Sequence, residues 1–167
     1  KFPVYIIGNT IRGIHNPSGS GWAYRVWAAP ETYFVDNVIH DVDNAIQSRP
    51  GSGNPLHFHG NIISDVHPDG VYLQMGDSAH CNESSISNNL FNPNSNGVKF
   101  IWGNTPHSSL EAFQQATGKA EGSVQDDPAF VNPTMDDFRL SRGSPAISKG
   151  TEHSVYQLFE DRFGISI

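Results

Sequence analysis

Cysteine is nearly absent: the 167 residues contain one, Cys81. A framework of internal disulfides is therefore excluded. Positive charge is scarce as well, with ten Lys and Arg against seventeen Asp and Glu and a net charge of −7. That balance argues against a general nucleic-acid or anionic-membrane surface. No run approaches the roughly 20 apolar residues of a membrane-spanning helix. A basic leader with an apolar stretch behind it is also missing. The chain opens on KFPVYIIGN, which already reads as a strand, and this points to a cut or processed start. What is plentiful is turn chemistry: 16 Gly, 11 Pro and many Asn and Ser, at 37% hydrophobic and 16% charged residues. The mix is too apolar for disorder and too rich in turn formers for a helical bundle. It suits one domain of many short strands joined by tight turns.

Residues 36–47 read DNVIHDVDNAIQ and residues 60–74 read GNIISDVHPDGVYLQ. The rhyme extends along the chain. An Asn followed two residues later by a large apolar residue occurs at Asn9, Asn37, Asn61 and Asn89, spaced 28, 24 and 28 residues apart. Ile6, Phe34, Phe58 and Ile86 stand three residues before these Asn. Second short strands follow at NAIQ (44–47), GVYL (70–73) and GVKF (97–100). Each repeat reads as strand, bend, strand and loop, with no helix-length apolar periodicity inside it. Such repeats predict a parallel β-solenoid whose coils stack at about 4.8 Å. The Asn side chains then have a physical task. At each bend they can hydrogen-bond the next coil and satisfy backbone groups that the strands cannot.

The period stops after the fourth Asn. HSSLEAFQQAT (107–117) carries Leu110, Phe113 and Ala116 at helical spacing, with Ser108 or Ser109 as the cap. Pro128, Pro133 and Pro145 then break the chain into extended pieces. The aromatic tail SVYQLFEDRFGISI is expected to pack over the last coil, because a solenoid end exposes strand edges and core. The division is thus coils over 1–105 and a short helix with a capping segment over 106–167, within one domain.

The stretches LEAFQQATG (110–118), DPAFVNP (127–133), DFRL (137–140) and GSPAI (143–147) resemble the C-terminal closing segment of secreted bacterial β-helix proteins. These are the right-handed parallel β-helices of the pectate-lyase-like superfamily, whose repeats the rungs at 61–73 also resemble. The resemblance covers roughly residues 1–150 and implies a right-handed, single-stranded parallel β-helix. It implies a secreted or cell-surface protein directed at polysaccharide, lyase-like or hydrolase-like on acidic glycans. Complete enzymes of that superfamily carry more coils. The chain is therefore expected to be the C-terminal portion of such a protein, with another domain or another copy covering its open first coil. The rival expectation is a structural or adhesive solenoid that assembles end to end or sits on a cell surface.

Aligning the coils on the Asn positions gives columns that can carry chemistry. They are Arg12, His40, Ser64 and Asn92; Gly13, Asp41, Asp65 and Pro93; Ile14, Val42, Val66 and Asn94; and His15, Asp43, His67 and Ser95. Asp41 is expected beside Asp65, and Asp43 between His15 and His67. Stacked carboxylates repel, so one is raised in pKa or a cation such as calcium sits between them. His and Asp together supply acid, base or metal ligands. Uronate chemistry uses such a set, with a cation or Arg neutralising the sugar carboxylate while a base removes a proton. Arg12, Arg25 or Arg49 can grip the acidic sugar. The alternative is a polar outer face, hydrogen-bonded along the stack.

Asp69, in HPDG (67–70), is ordinary turn chemistry; the resemblance adds a catalytic-acid or calcium-ligand role. His57 and His59, in LHFH, are expected to point outward together, as two metal ligands lacking an obvious third or as an aromatic surface strip. In WAYRVW (22–27), Trp22, Tyr24 and Trp27 cannot all face inward. At least one is an exposed platform for a sugar ring or a contact for another chain. His80, Cys81 and His107 read as unconnected, with Cys81 near a loop. The candidate catalytic set is Asp41, Asp43, Asp65, His67 and Asp69, with Arg12, Arg25, Trp22, Tyr24 and Trp27 as substrate-binding residues.

Overall fold

The computed structural model describes residues 3–27, 29–49, 55–76, 78–93, 99–150 and 152–166. Residues 97 and 98, within the GVKF strand, and Asn94 and Ser95 of the aligned columns lie outside the described residues.

Short runs of branched and aromatic residues, interrupted by short corners and loops, wind the chain into a parallel β-solenoid. The first coil holds β1 (Val4–Ile7), β2 (Thr10–Ile14) and β3 (Trp22–Trp27). The second holds β4 (Thr32–Val35), β5 (Val38–Val42) and β6 (Asn44–Arg49). The third holds β7 (Leu56–His59), β8 (Ile62–Val66) and β9 (Val71–Met75). After a one-turn helix, α1 (Ser78–Glu83), come β10 (Ser85–Ser87), β11 (Leu90–Phe91) and β12 (Lys99–Trp102). About three turns carry β1 to β10. Equivalent strands form three parallel sheets: A (β1, β4, β7, β10), B (β2, β5, β8, β11) and C (β3, β6, β9, β12). Each coil therefore has three strands, where the repeat alone reads as two strands and a loop. The extra corner falls between β5 and β6, and between their equivalents.

Each sheet sends one main column of side chains inward. Ile6, Phe34, Phe58 and Ile86 line sheet A, with the Phe rings stacked at 5.5 Å. Ile11, Ile39, Ile63 and Phe91 line sheet B, and Tyr24, Ile46, Leu73 and Phe100 line sheet C. From the second coil onward these residues are almost wholly buried. Cys81 belongs to this core on α1, and is not beside an exposed loop.

Asn9, Asn37, Asn61 and Asn89 connect the coils at the corner between sheets A and B. The backbone N–H and Nδ2 of Asn37 both donate to Asn61 Oδ1, at 2.9 and 3.0 Å. Asn61 donates to Asn89 Oδ1 in the same way, and Asn9 to Asn37 Oδ1. Each Nδ2 also donates to a carbonyl of the preceding coil: Asn37 to Ile6, Asn61 to Phe34 and Asn89 to Phe58, all at 2.9 Å. Asn89 N–H ends the series on Ser123 Oγ, at 3.0 Å. The residue before each Asn is left-handed: Gly8, Asp36, Gly60, Asn88 and, before Ser123, Gly122. A methyl on Gly60 would stand 2.0 Å from Asp36 Oδ1, and one on Gly122 2.1 Å from Asn88 Oδ1.

The C-terminal segment closes one end and two sides. After β13 (Thr105–His107), which pairs antiparallel with β12, comes α2 (Leu110–Thr117). Ser109 Oγ caps α2 by accepting from Ala112 N–H, and Gly118 ends it in the left-handed region. Phe113 of α2 stacks on Phe100 at 4.8 Å and so covers the core of the last coil. β14 (Val124–Gln125) adds a fifth strand to sheet B. A hairpin of β15 (Phe130–Asn132) and β16 (Asp137–Leu140) then lies on the outside of sheet B, where Phe138 meets the His40 ring at 5.3 Å. The tail helix α3 (Val155–Phe163) lies on the outside of sheet A, with Val155 against Tyr33 and Val35. The tail therefore flanks the first two coils and does not cap the last one. Its aromatic residues meet Tyr5, the outward aromatic of the first coil, and α2 has already buried the far end.

Asn61→Ala removes two acceptor contacts and two donated bonds inside the protein. It leaves the buried Asn37 N–H without its partner and takes one donor away from the Phe34 carbonyl. Urea unfolding should show a loss of about 3 kcal/mol, against less than about 1 kcal/mol for Asn9→Ala at the exposed end.

Candidate functional site

The sequence-derived polar residues gather at the corner between sheets B and C. Gly13, Asp41 and Asp65 share one position there, with φ of 67°, 57° and 50°. The strand register skips them, pairing Arg12 with His40 and then Ile14 with Val42. Asp tolerates this left-handed conformation better than most residues, so Asp41 and Asp65 have a structural reason to be there. Asp41 turns to the first coil, where its Oδ1 is 2.9 Å from His15 Nε2. Asp65 is exposed on the next coil.

Asp43 is the buried member. Its Oδ1 is 3.1 Å from His15 Nδ1, and its Oδ2 accepts from the N–H groups of Asn16 and Gly21, at 2.8 and 3.0 Å. The Gly/Ser loop is shaped around this carboxylate: a methyl on Gly21 would stand 2.9 Å from Asp43 Oδ2. Burial pushes Asp43 up, but the two amides and the His15 ring outweigh it and hold the carboxyl below its usual value. Asp43, and then Asp41, hold His15 above its usual value. His15 is half exposed, with both ring nitrogens facing carboxylates. It donates from both only when protonated, and with each nitrogen against a carboxylate oxygen neither is free to meet a substrate.

His67 and Asp69 are arranged otherwise. They form a turn in which Asp69 N–H donates to His67 Nδ1 at 3.2 Å and Gly70 N–H to the His67 carbonyl at 2.6 Å. Gly70 is obligatory, since a methyl there would stand 2.1 Å from the Asp43 carbonyl oxygen. The structure thus joins His15, Asp41 and Asp43 and places His67 and Asp69 in a separate turn. Among the described residues, no group of three or more His, Cys, Asp or Glu is arranged to hold a metal ion. Arg12 is engaged by the C-terminal segment through an ion pair with Asp136.

Sheet C presents a different surface. Arg25 and Trp27 on β3 face the same way as Gln47 and Arg49 on β6 and Gln74 on β9. Arg25 Nε donates to Gln47 Oε1 at 2.8 Å, and Gln47 Nε2 donates to Gln74 Oε1 at 2.7 Å. Trp27 is 63% exposed. The guanidinium carbons of Arg25 and Arg49 each lie 5.4 Å from its ring centroid. Tyr24 points the other way, into the core against Phe34, and Trp22 is half-buried at the start of the strand. Gln47 and Gln74 escaped the sequence reading although they occupy equivalent positions; aligning the third strands of the coils would have found them. Asn16 and Gly21 were missed because their role lies in backbone N–H groups.

His57 and His59 do point outward, but under α3. His80 is buried, with Nε2 2.7 Å from Ser48 Oγ, and His107 packs on Phe113. A cavity of about 510 Å³ lies between α3 and the first coil, remote from Trp27 and His15 and lined by Tyr5, Ile7, Gly8, Asn9, Tyr156 and Phe159.

The class these features define is a parallel β-solenoid with its C-terminal segment folded along two of its three faces. Comparison with protein-family models, curated proteins and solved structures finds no match.

The His15 pairing makes a signed pH prediction. A raised histidine contributes stability below its ordinary value of 6.5 and loses it as pH rises through the folded value. Asp43, held below its ordinary 3.8, contributes above that value. The advantage of the native protein over His15→Gln in urea midpoint should therefore peak between pH 4 and 6.5 and shrink above that window.

Proposed function

We propose that the chain is a polysaccharide-directed β-solenoid module, displayed outside the cell, that binds an acidic glycan on the outer face of sheet C. The observation that carries this reading is the division of the three faces. α3 lies on sheet A and the β15–β16 hairpin on sheet B, whereas Arg25, Trp27 and Arg49 are exposed on sheet C. A sugar carboxylate can pair with either planar guanidinium, while the sugar's C–H groups lie against the indole. Gln47 is buried and engaged at both amide atoms, so it fixes Arg25 in place, while the half-buried Gln74 amide can meet a sugar hydroxyl. The resemblance of residues 61–73 and 110–147 to the pectate-lyase-like superfamily supports polysaccharide as the ligand class. Binding suits these residues better than cleavage, because His15 is committed at both nitrogens and Asp43 at both oxygens.

The alternative of copies stacked end to end has less support. The first coil offers free strand edges at β1, β2 and β3, but α2 and β13 occupy the opposite end.

Isothermal titration with polygalacturonate, against neutral dextran as control, tests the proposal. The protein should bind polygalacturonate, more weakly as salt is raised. Trp27→Ala should weaken binding by roughly tenfold or less, and Arg25→Ala with Arg49→Ala should remove its salt dependence. Equal affinity for dextran, or unchanged binding in both variants, would sink the reading.

A further inference from the structure

Three histidines meet where α3 begins on sheet A. His57 and His59 project from β7 with ring centroids 6.4 Å apart, and His153 stacks on His59 at 4.5 Å. His57 stacks in turn on Tyr33, which stacks on Tyr5. His59 is 7% exposed, with Nδ1 2.7 Å from Ser87 Oγ and Nε2 2.8 Å from Ser85 Oγ. His153 Nδ1 accepts from Val155 N–H at 3.0 Å, at the first residue of α3. A proton on that nitrogen would forfeit the bond.

We infer that His59 and His153 form an acid-released clasp that holds α3 on sheet A at neutral pH and lets it go on mild acidification.

The groups around the clasp do not compensate a new charge well. Glu31 is held by Tyr33 OH and faces His57 Nε2 at 3.1 Å. Asp36 accepts from Tyr156 OH of α3. β10 offers only the hydroxyls of Ser85 and Ser87, with Glu121 bridging by its backbone beyond Ser87. Tyr5 and Tyr33 contribute aromatic faces, and Glu152 is exposed ahead of His153. Burial, with His153 and His57 adding, pushes His59 down to about 4. Burial and His57 also push His153 down, against the pull of Asp36. In detached α3 both rings return toward 6.5 and take up protons more readily. Docking is therefore favoured above pH 6.5 and weakens as pH falls toward 4. Release would uncover Tyr33, His57, His59 and Val35, and open the cavity beside Tyr5. This inference is independent of the glycan reading.

Amide hydrogen exchange over residues 155–163 tests it, with intrinsic pH dependence corrected and β5 as reference. Between pH 7 and pH 5, protection of α3 should fall on the order of 20-fold relative to β5 from His59 alone, and the variant His59→Phe with His153→Phe should abolish the fall. Equal relative protection at both pH values, or the same loss in the variant, overturns the clasp. Titration of the His59 imidazole by NMR in the native protein decides the matter should the variant not fold: a midpoint well below 6.5 supports the clasp, and one at or above 6.5 overturns it.

Discussion

One side-chain amide per coil holds this protein in register. A parallel strand can slip by two residues and keep its inward face. The Asn bond pattern forbids this, because Oδ1 must meet two N–H groups of the coil before, while Nδ2 reaches one of its carbonyls. The corner is where sheet hydrogen bonding lapses, so the same bonds satisfy backbone groups that would otherwise be buried alone. Everything lateral inherits this alignment: the stacked Phe34 and Phe58, the carboxylate of Asp43 under His15, and the Arg25–Gln47–Gln74 row.

The fold was legible because a solenoid repeats its local physics. Asn9, Asn37, Asn61 and Asn89 stand out at nearly constant spacing, and the branched residues around them give the inward columns. Fixed register also brought His15 and Asp43 to neighbouring positions on paper. The tail could not be read in this way. Its contacts, such as Tyr156 with Asp36 or Asp136 with Arg12, join residues more than a hundred positions apart and recur nowhere. Without them, His57 and His59 look like an open surface and Arg12 like a free cation. The second corner was hidden for another reason. Asp41 and Asp65 look like chemistry, whereas their positive φ gives them work in the backbone.

The two polar regions illustrate opposite uses of charge. At His15 and Asp43, both ring nitrogens and both carboxylate oxygens are answered from within, which fixes a loop. Around Trp27, two guanidiniums crowd one indole at the surface. Like charges so placed lose little in water and gain when an anion arrives between them. The proposed glycan reading rests on the second arrangement, where the groups are positioned and, among the described residues, no carboxylate is paired with them.

The left-handed corner before each Asn carries a hidden second rhythm. Gly8, Asp36, Gly60, Asn88 and Gly122 alternate bare and substituted positions, because a side chain on one coil occupies the space that the next coil's Cβ would need. The structural repeat is one coil, but the steric repeat is two. Lengthening such a solenoid by a single copied coil would set two glycines or two side chains face to face. Adding or removing coils in pairs leaves the pattern whole.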